Sequence, residues 1–384
     1  MLALWRNSRV RGWIFQLVAL TLFLYFGWSL WDNLQTNLAS RGITTGFNFL
    51  NTEAGFGIIS HLIDYSESST YGRAFLVGLL NTLLVSVLGI FLATLLGLLI
   101  GVGRLSNNWL ISRLALGYVE LIRNIPLLLQ IFFWYFAVLR SLPSPRQSVN
   151  WGELFFLNNR GIYMPAPIPE QGFGWAGWAL LLTLIGVVLL FRWAVRRQHQ
   201  TGRIFPRWRV SIGLLIVVPL LVLALQGFPL SWELPALKGF NFKGGLVMIP
   251  EFMAILLALT IYTASYIAEI VRSGIESVNR GQTEAARSLG LTHGQTLRLI
   301  ILPQALRVII PPLTSQYLNL LKNSSLAAAV AYPELVSVFA GTVLNQTGQA
   351  VEVIAITMGV YLLISLLISL LMNWYNHKMK LVER

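Results

Sequence analysis

The sequence of 384 residues predicts an all-α polytopic membrane protein with about eight transmembrane helices. Two features of composition and one of arrangement lead there. Hydrophobic residues make up 55% and charged residues 11%, whereas a soluble domain carries about 25% charge. The apolar residues are gathered into long runs, and about 20 such residues are needed to cross a hydrocarbon core as helix. Lys and Arg alternate between rich and poor connecting segments, the bias that orients polytopic chains.

The runs lie at about 13–31, 74–103, 125–140, 175–195, 210–227, 247–271, 304–330 and 350–374. The first follows Arg6, Arg9 and Arg11, as a signal peptide would. It is long for a signal and no small-x-small site follows, so a retained anchor is expected. The second contains Gly97 and Gly101, a GxxxG pair that suits close helix packing better than a phosphate-binding loop. The third is preceded by "WLISRLALGYVELI" (109–122), read as an interfacial helix. Pro126 then sits at a helix start, where its missing N–H is harmless. The segments 32–73 and 141–174 are rich in Gly, Pro, Ser and aromatics and read as outer loops with short helices at the membrane surface. Trp28, Trp31, Trp134, Tyr135, Trp175, Trp178, Trp374 and Tyr375 fall at span ends, as interfacial belts do.

With both termini inside, the inner segments gather Arg6, Arg9 and Arg11; Arg104, Arg113 and Arg123; Arg192 through Arg209; Arg272, Arg280, Arg287 and Arg298; and Lys378, Lys380 and Arg384. The outer ones hold only Arg41, Arg73, Arg140, Arg146, Arg160, Lys238 and Lys243. The net charge of +13 is thereby assigned to helix ends and anionic membrane lipid, with no nucleic acid implied. Cysteine is absent, which excludes disulfides and thiolate metal sites. His61, His199, His293 and His377 are scattered, and neither HExxH nor GxSxG occurs. No GxxxxGK[ST] occurs either, so nucleotide chemistry would have to come from another chain.

Residues 284–303, "EAARSLGLTHGQTLRLIILP", break the apolar pattern between spans six and seven. Gly290 suits a helix C′ position, where a left-handed backbone costs glycine nothing. Thr292 and Gln295 have the spacing of a capping box. Pro303 removes a backbone hydrogen bond, so a kink is expected where the next helix enters the membrane. Ala285 and Ala286 strip bulk from the short helix, while Glu284 and Arg287 supply charge. On these residues alone the segment is either a helical connector or a helix that inserts into a groove of another protein.

Polar residues within the spans are the other candidates. Glu269 precedes Arg272 by three residues, as a local ion pair or as a group facing a translocation path. Lys322 lies deeper, followed by Asn323, Ser324 and Ser325; it could meet a carboxylate of a neighbouring helix or of a substrate. Asn81 and Thr82 stand on the second span. Hydrogen bonding between helices and substrate contact both stay open for these residues.

The spacing of Glu284, Ala285, Ala286, Gly290, Ile300, Leu302 and Pro303 resembles the signature of bacterial ABC importer permeases. The flanks "TASYIAEIVRSGIESVNRGQ" (263–282), "LPQALRVIIPPLTSQYLNLLKNSSLA" (302–327) and "YVELIRNIPLLLQIFFWYF" (118–136) resemble the polar amino-acid uptake permeases of histidine, glutamate and glutamine type, most of all their broad-range general L-amino-acid branch. The resemblance covers about 72–140 and 247–376 and implies a five-helix permease core made of spans two, three, six, seven and eight. It divides the chain into an anchor and outer loop (1–71), a first core part (72–140), an insertion with two extra spans (141–246) and a second core part with the coupling helix (247–384).

What the resemblance implies is the permease subunit of an ATP-driven, binding-protein-dependent amino-acid importer in a bacterial inner membrane. The subunit would hold no cofactor and no catalytic site, with ATP and Mg on two partner ATPase subunits. A second permease subunit, as heterodimer or homodimer, and a periplasmic binding protein would complete it. A secondary carrier driven by an ion gradient is the competing class. It would call for discontinuous helices in two related halves, which the sequence does not display.

Overall fold

The computed structural model describes residues 8–40, 42, 45–203 and 205–379. Arg6, Arg41, Lys380 and Arg384, counted in the charge bias, lie outside these. Helices dominate, and among the described residues seven helices are long and apolar enough to cross a membrane, or eight if one bent pair counts as a span. The chain forms two compact units, residues 1–134 with 254–384, and residues 135–253.

The first unit opens with α1 (Ser8–Ser40), whose apolar window has no buried residue. Helix α2 (Tyr71–Arg104) is capped by the Thr70 hydroxyl, which accepts from the Arg73 amide. Its glycines set how closely α7 (Pro250–Glu276) approaches. A Cβ on Gly97 would lie 2.6 Å from the Ile267 Cβ, and one on Gly101 2.9 Å from the Ala268 carbonyl oxygen. The GxxxG pair is thus a packing surface. Asn108 caps α3 (Trp109–Arg123), which bends through 103° into α4 (Leu127–Phe132) and the π-helical turns Phe133–Leu139. Gln130 steadies the bend, its side-chain amide donating to the Ile122 and Ile125 carbonyls, both at 3.0 Å.

After α7 come α8 (Arg280–Ser288), the single turn α9 (His293–Thr296), a π-helical stretch Leu297–Ile301 and α10 (Leu302–Asn323). The path continues as 3-10 helix Ser324–Val330, breaks, and resumes as π-helical Val336–Val343 and the short α11 (Leu344–Thr347). Helix α12 (Ala350–Met379) closes the unit. Phe49, Ile58, Tyr71, Val77, Leu335, Phe339 and Val353 form a buried cluster where segment 48–66 covers the start of α2 and the resumed helix.

The second unit corrects one expectation. In place of short surface helices, segment 141–174 holds a single helical turn (Pro145–Gln147) and four strands, β1 (Val149–Trp151), β2 (Phe155–Asn158), β3 (Gly161–Met164) and β4 (Ala166–Pro169). Four more, β5 (Leu230–Glu233), β6 (Ala236–Lys238), β7 (Asn241–Lys243) and β8 (Leu246–Met248), follow the helical hairpin α5 (Phe173–Thr201) and α6 (Arg207–Leu225). They form an antiparallel four-stranded sheet in the order β1-β2-β3-β8, the antiparallel pair β4-β5 and the hairpin β6-β7. The reason is non-local: β3 pairs with β8, Ile162 opposite Met248, across the whole helical hairpin. Strands of three or four residues show too little alternation to be read one at a time. Gly161, with φ 125°, has no room for a side chain against the Met248 carbonyl.

Candidate functional site

The helix, glycine stop and capping box of stretch 280–295 form where the sequence grammar predicts them. The Asn279 side chain caps α8 by accepting from the Gly281 amide at 2.8 Å. At the other end the Gly290 amide donates to the Arg287 carbonyl (2.9 Å) and the Leu291 amide to the Ala286 carbonyl (3.1 Å). These two bonds make a Schellman turn around Gly290, whose φ is 75°. The capping box follows at once: Thr292 and Gln295 each bond the other's backbone amide. The π-helical turns before Leu302 and Pro303 show how the proline is accommodated, by widening the preceding helix.

Exposure divides the residues of this elbow. Ala286 is buried, while Glu284, Ala285, Arg287 and Gly290 are exposed. Leu289 is 79% exposed, a residue that the sequence reading did not single out. Leu302 and Pro303 are half-buried at the start of α10. An added Cβ at Gly290 would meet nothing within 4 Å, so glycine is required there by backbone conformation alone.

The polar residues of the spans fall into distinct settings. Glu269 makes the local pair with Arg272, at 2.6 Å. It also pairs with Arg104 from α2, a partner no local spacing could announce. Arg272 in turn reaches Glu276. Both carboxylate oxygens of Glu269 are therefore engaged.

Asn81 and Thr82 are fully buried and act on backbone. The Asn81 amide nitrogen donates to the Ser60 and Pro333 carbonyls, both at 2.8 Å. The Thr82 hydroxyl donates to the Gly78 carbonyl and accepts from the Leu335 amide at 3.0 Å. The Ser324 and Ser325 hydroxyls donate to the Leu321 and Lys322 carbonyls, each at 2.7 Å. Asn323 is half-buried and Lys322 exposed. Among the described residues Lys322 has no ion-pair partner.

Asn81 and Thr82 converge on the break between Val330 and Val336, which the sequence reading missed. Ala331 adopts a left-handed backbone (φ 58°), uncommon for a residue with a side chain. Glu334, wholly buried, caps the resumed helix. Its carboxylate accepts from the Val336 and Ser337 amides (2.8 and 2.7 Å) and from the Tyr361 hydroxyl (3.2 Å). Its own carbonyl accepts from the Val338 amide. The only sequence signal is Pro333-Glu334 inside an apolar run, and glutamate is not a preferred N-cap.

The fold and the elbow define a helical membrane protein with an exposed, doubly capped turn. Comparison with known proteins places it. Residues 208–381 match the family model "Binding-protein-dependent transport system inner membrane component". YhdX of Escherichia coli (strain K12), named as an amino-acid ABC transporter permease protein, is 58% identical over 98% of this chain and 96% of its own. The general L-amino acid transport system permease protein AapQ of Rhizobium johnstonii is 52% identical over 98% of this chain and 94% of its own. The glutamate/glutamine/aspartate/asparagine transport system permease protein BztB of Rhodobacter capsulatus is 44% identical, covering 98% and 96%. The chain belongs to the amino-acid ABC transporter permeases, inner-membrane subunits of ABC transporters.

Proposed function

We propose that this permease forms one half of the pathway of a broad-range amino-acid importer and receives the work of ATP hydrolysis at the elbow 280–303. One observation carries the proposal. Helix α8 is locked at both ends by its own caps, while Glu284, Ala285 and Leu289 are left bare on its outer surface. A rigid, exposed helix is what a partner needs in order to push without first unfolding the part it pushes. Two ATPase subunits, holding ATP and Mg, occupy that place, and Glu284, Ala285, Ala286, Gly290, Leu302 and Pro303 form the transmission element. A cytoplasmic place for the elbow, and with it for both termini, is supported by Arg272, Arg280, Arg287 and Arg298 and by the charge bias along the chain.

Lys322 supports the second half of the pathway. An ammonium facing lipid at the middle of a span costs about 3 kcal/mol. Lys322 is exposed on this chain, so the surface carrying it faces a second permease subunit, a different but related chain, and the passage between the two. There it meets the carboxylate common to all amino-acid substrates, which a binding protein delivers from the periplasm. Asn323 and Ser325 line the same turn. Asn81, Thr82, Ser324 and Glu269 have their polar groups engaged within the chain and hold helices in place.

The test alters only the elbow's surface, in the assembled transporter. Glu284→Lys with Leu289→Asp should leave membrane insertion and permease pairing intact. Recovery of the ATPase with the permease should fall at least about ten-fold, as for loss of an interface hot spot, and uptake should fall with it. Normal uptake with full recovery of the ATPase overturns the proposal.

A further inference from the structure

The loop end of the hairpin α5–α6 is a concentrated basic surface. Arg192, Arg196, Arg197, Arg203, Arg207 and Arg209 lie within it, and the chain has no Asp or Glu between Glu170 and Glu233. Among the described residues none of these arginines has an acidic partner. Orientation by charge bias requires basic residues here but does not require any particular arrangement. The arrangement is nonetheless specific. Phe191 and Trp208 meet edge-on at 4.9 Å, and Trp193 meets Phe205 the same way at 5.3 Å, tying the two helices and their loop together. Arg197 lies over the Trp193 ring and Arg207 over Phe191, at 5.1 and 5.6 Å.

Arg192 and Arg196 are different. Both are exposed, and among the described residues neither guanidinium lies over a ring or beside a carboxylate. Spaced i,i+4, they rise from one face of α5, about 5–6 Å apart at Cβ. With Phe191 and Val195 they line an open groove of about 500 Å³. Toward the centre of the helix the same face continues as Val188, Leu189 and Ile185, all more than half exposed.

We propose that this groove binds an anionic glycerophospholipid. Its phosphodiester is held by the Arg192 and Arg196 guanidiniums, and its acyl chains follow Phe191, Val195 and the apolar face beyond. A guanidinium fork matches phosphate oxygens in a bidentate way that an ammonium does not. The half-exposed Trp193 and the exposed Trp208 mark the depth at which headgroups lie. The apolar track selects a lipid over free phosphate, which could use only the two arginines. The inference concerns the hairpin alone and stands apart from the transport proposal.

The test is lipid retention by the purified, assembled transporter, measured by native mass spectrometry after equilibration with mixed micelles of phosphatidylglycerol and phosphatidylcholine at equal amounts. The intact protein should retain phosphatidylglycerol in preference, by on the order of ten-fold for two arginines near a headgroup. Arg192→Gln with Arg196→Gln should abolish the preference; the four remaining arginines keep the hairpin oriented. Arg203→Gln with Arg209→Gln removes the same charge outside the groove and should leave most of the preference. Arg192→Lys with Arg196→Lys, the safeguard against a folding defect, should keep part of it. Equal retention of the two lipids by the intact protein, or an equal loss in both Gln pairs, overturns the site.

Discussion

Two interruptions of regular helix in the first unit, the elbow at 280–303 and the break between Val330 and Val336, solve the same problem in opposite ways. At the elbow each capping bond joins residues no more than five apart, and the turn is exposed. At the break the free backbone groups are satisfied from other elements. Thr82 receives the Leu335 amide, Asn81 holds the Pro333 carbonyl, and Tyr361 reaches the Glu334 carboxylate. The difference follows from surroundings. Water can serve an exposed helix end that its caps leave incomplete, whereas backbone groups buried at the break must find their partners in protein. The elbow is therefore autonomous in its capping, and the break is a fixed point to which α2 and α12 are fastened.

Changing the elbow's backbone tests the autonomy most severely. Gly290 stands at φ 75° with open space around it, and proline is held near −65°. Gly290→Pro should reduce uptake at least about a hundred-fold, as misplacement of a transmission element by ångströms would, with the melting temperature of the detergent-solubilised chain nearly unchanged. Gly290→Asn, which tolerates a left-handed backbone, should restore most uptake. A large fall in melting temperature for the proline variant would show that the elbow is part of the core and erase the contrast.

The converse holds for Glu334. Replacing it by leucine removes the acceptor of two half-buried amides and one partner of the Tyr361 hydroxyl, at about 1–3 kcal/mol for each buried group left unpaired. We expect Glu334→Leu to cost about 3 kcal/mol and to lower the melting temperature clearly, with Glu334→Gln recovering a good part through its remaining acceptor. Unfolding followed by thermal denaturation in detergent measures both. If leucine is tolerated, the break is not held by that carboxylate.

The same contrast explains what could be read from the sequence. The Gly290 stop, the Thr292–Gln295 box and the Gly97–Gly101 packing face were legible because each rests on residues one or two turns apart. The Glu269–Arg272 pair was legible for the same reason, and its Arg104 partner was not. The break was hidden: Ser324 through Val330 is a small, apolar run that reads as continued helix, and Glu334 is an unusual cap. The β-sheet of the second unit was hidden too, since β3 finds β8 only after the chain has passed through two helices. The exposure of Lys322, and with it the case for a facing subunit, needed coordinates.

The finest separation lies between residues that fasten the break and the residue proposed to face the passage. Thr82 and Lys322 are both polar, and the sequence offers no ground for treating them differently. Thr82→Val keeps shape and removes the hydroxyl that receives the Leu335 amide. It should cost about 1–2 kcal/mol of stability and leave the KM for uptake unchanged, because no substrate contact is lost. Lys322→Met removes an exposed ammonium with no ion-pair partner among the described residues, so stability should hold while uptake efficiency falls. Measuring uptake kinetics and melting temperature on the same two preparations resolves the pair. A raised KM with undiminished stability for Thr82→Val would move that hydroxyl into the passage, and the break would then bind substrate as well as anchor helices.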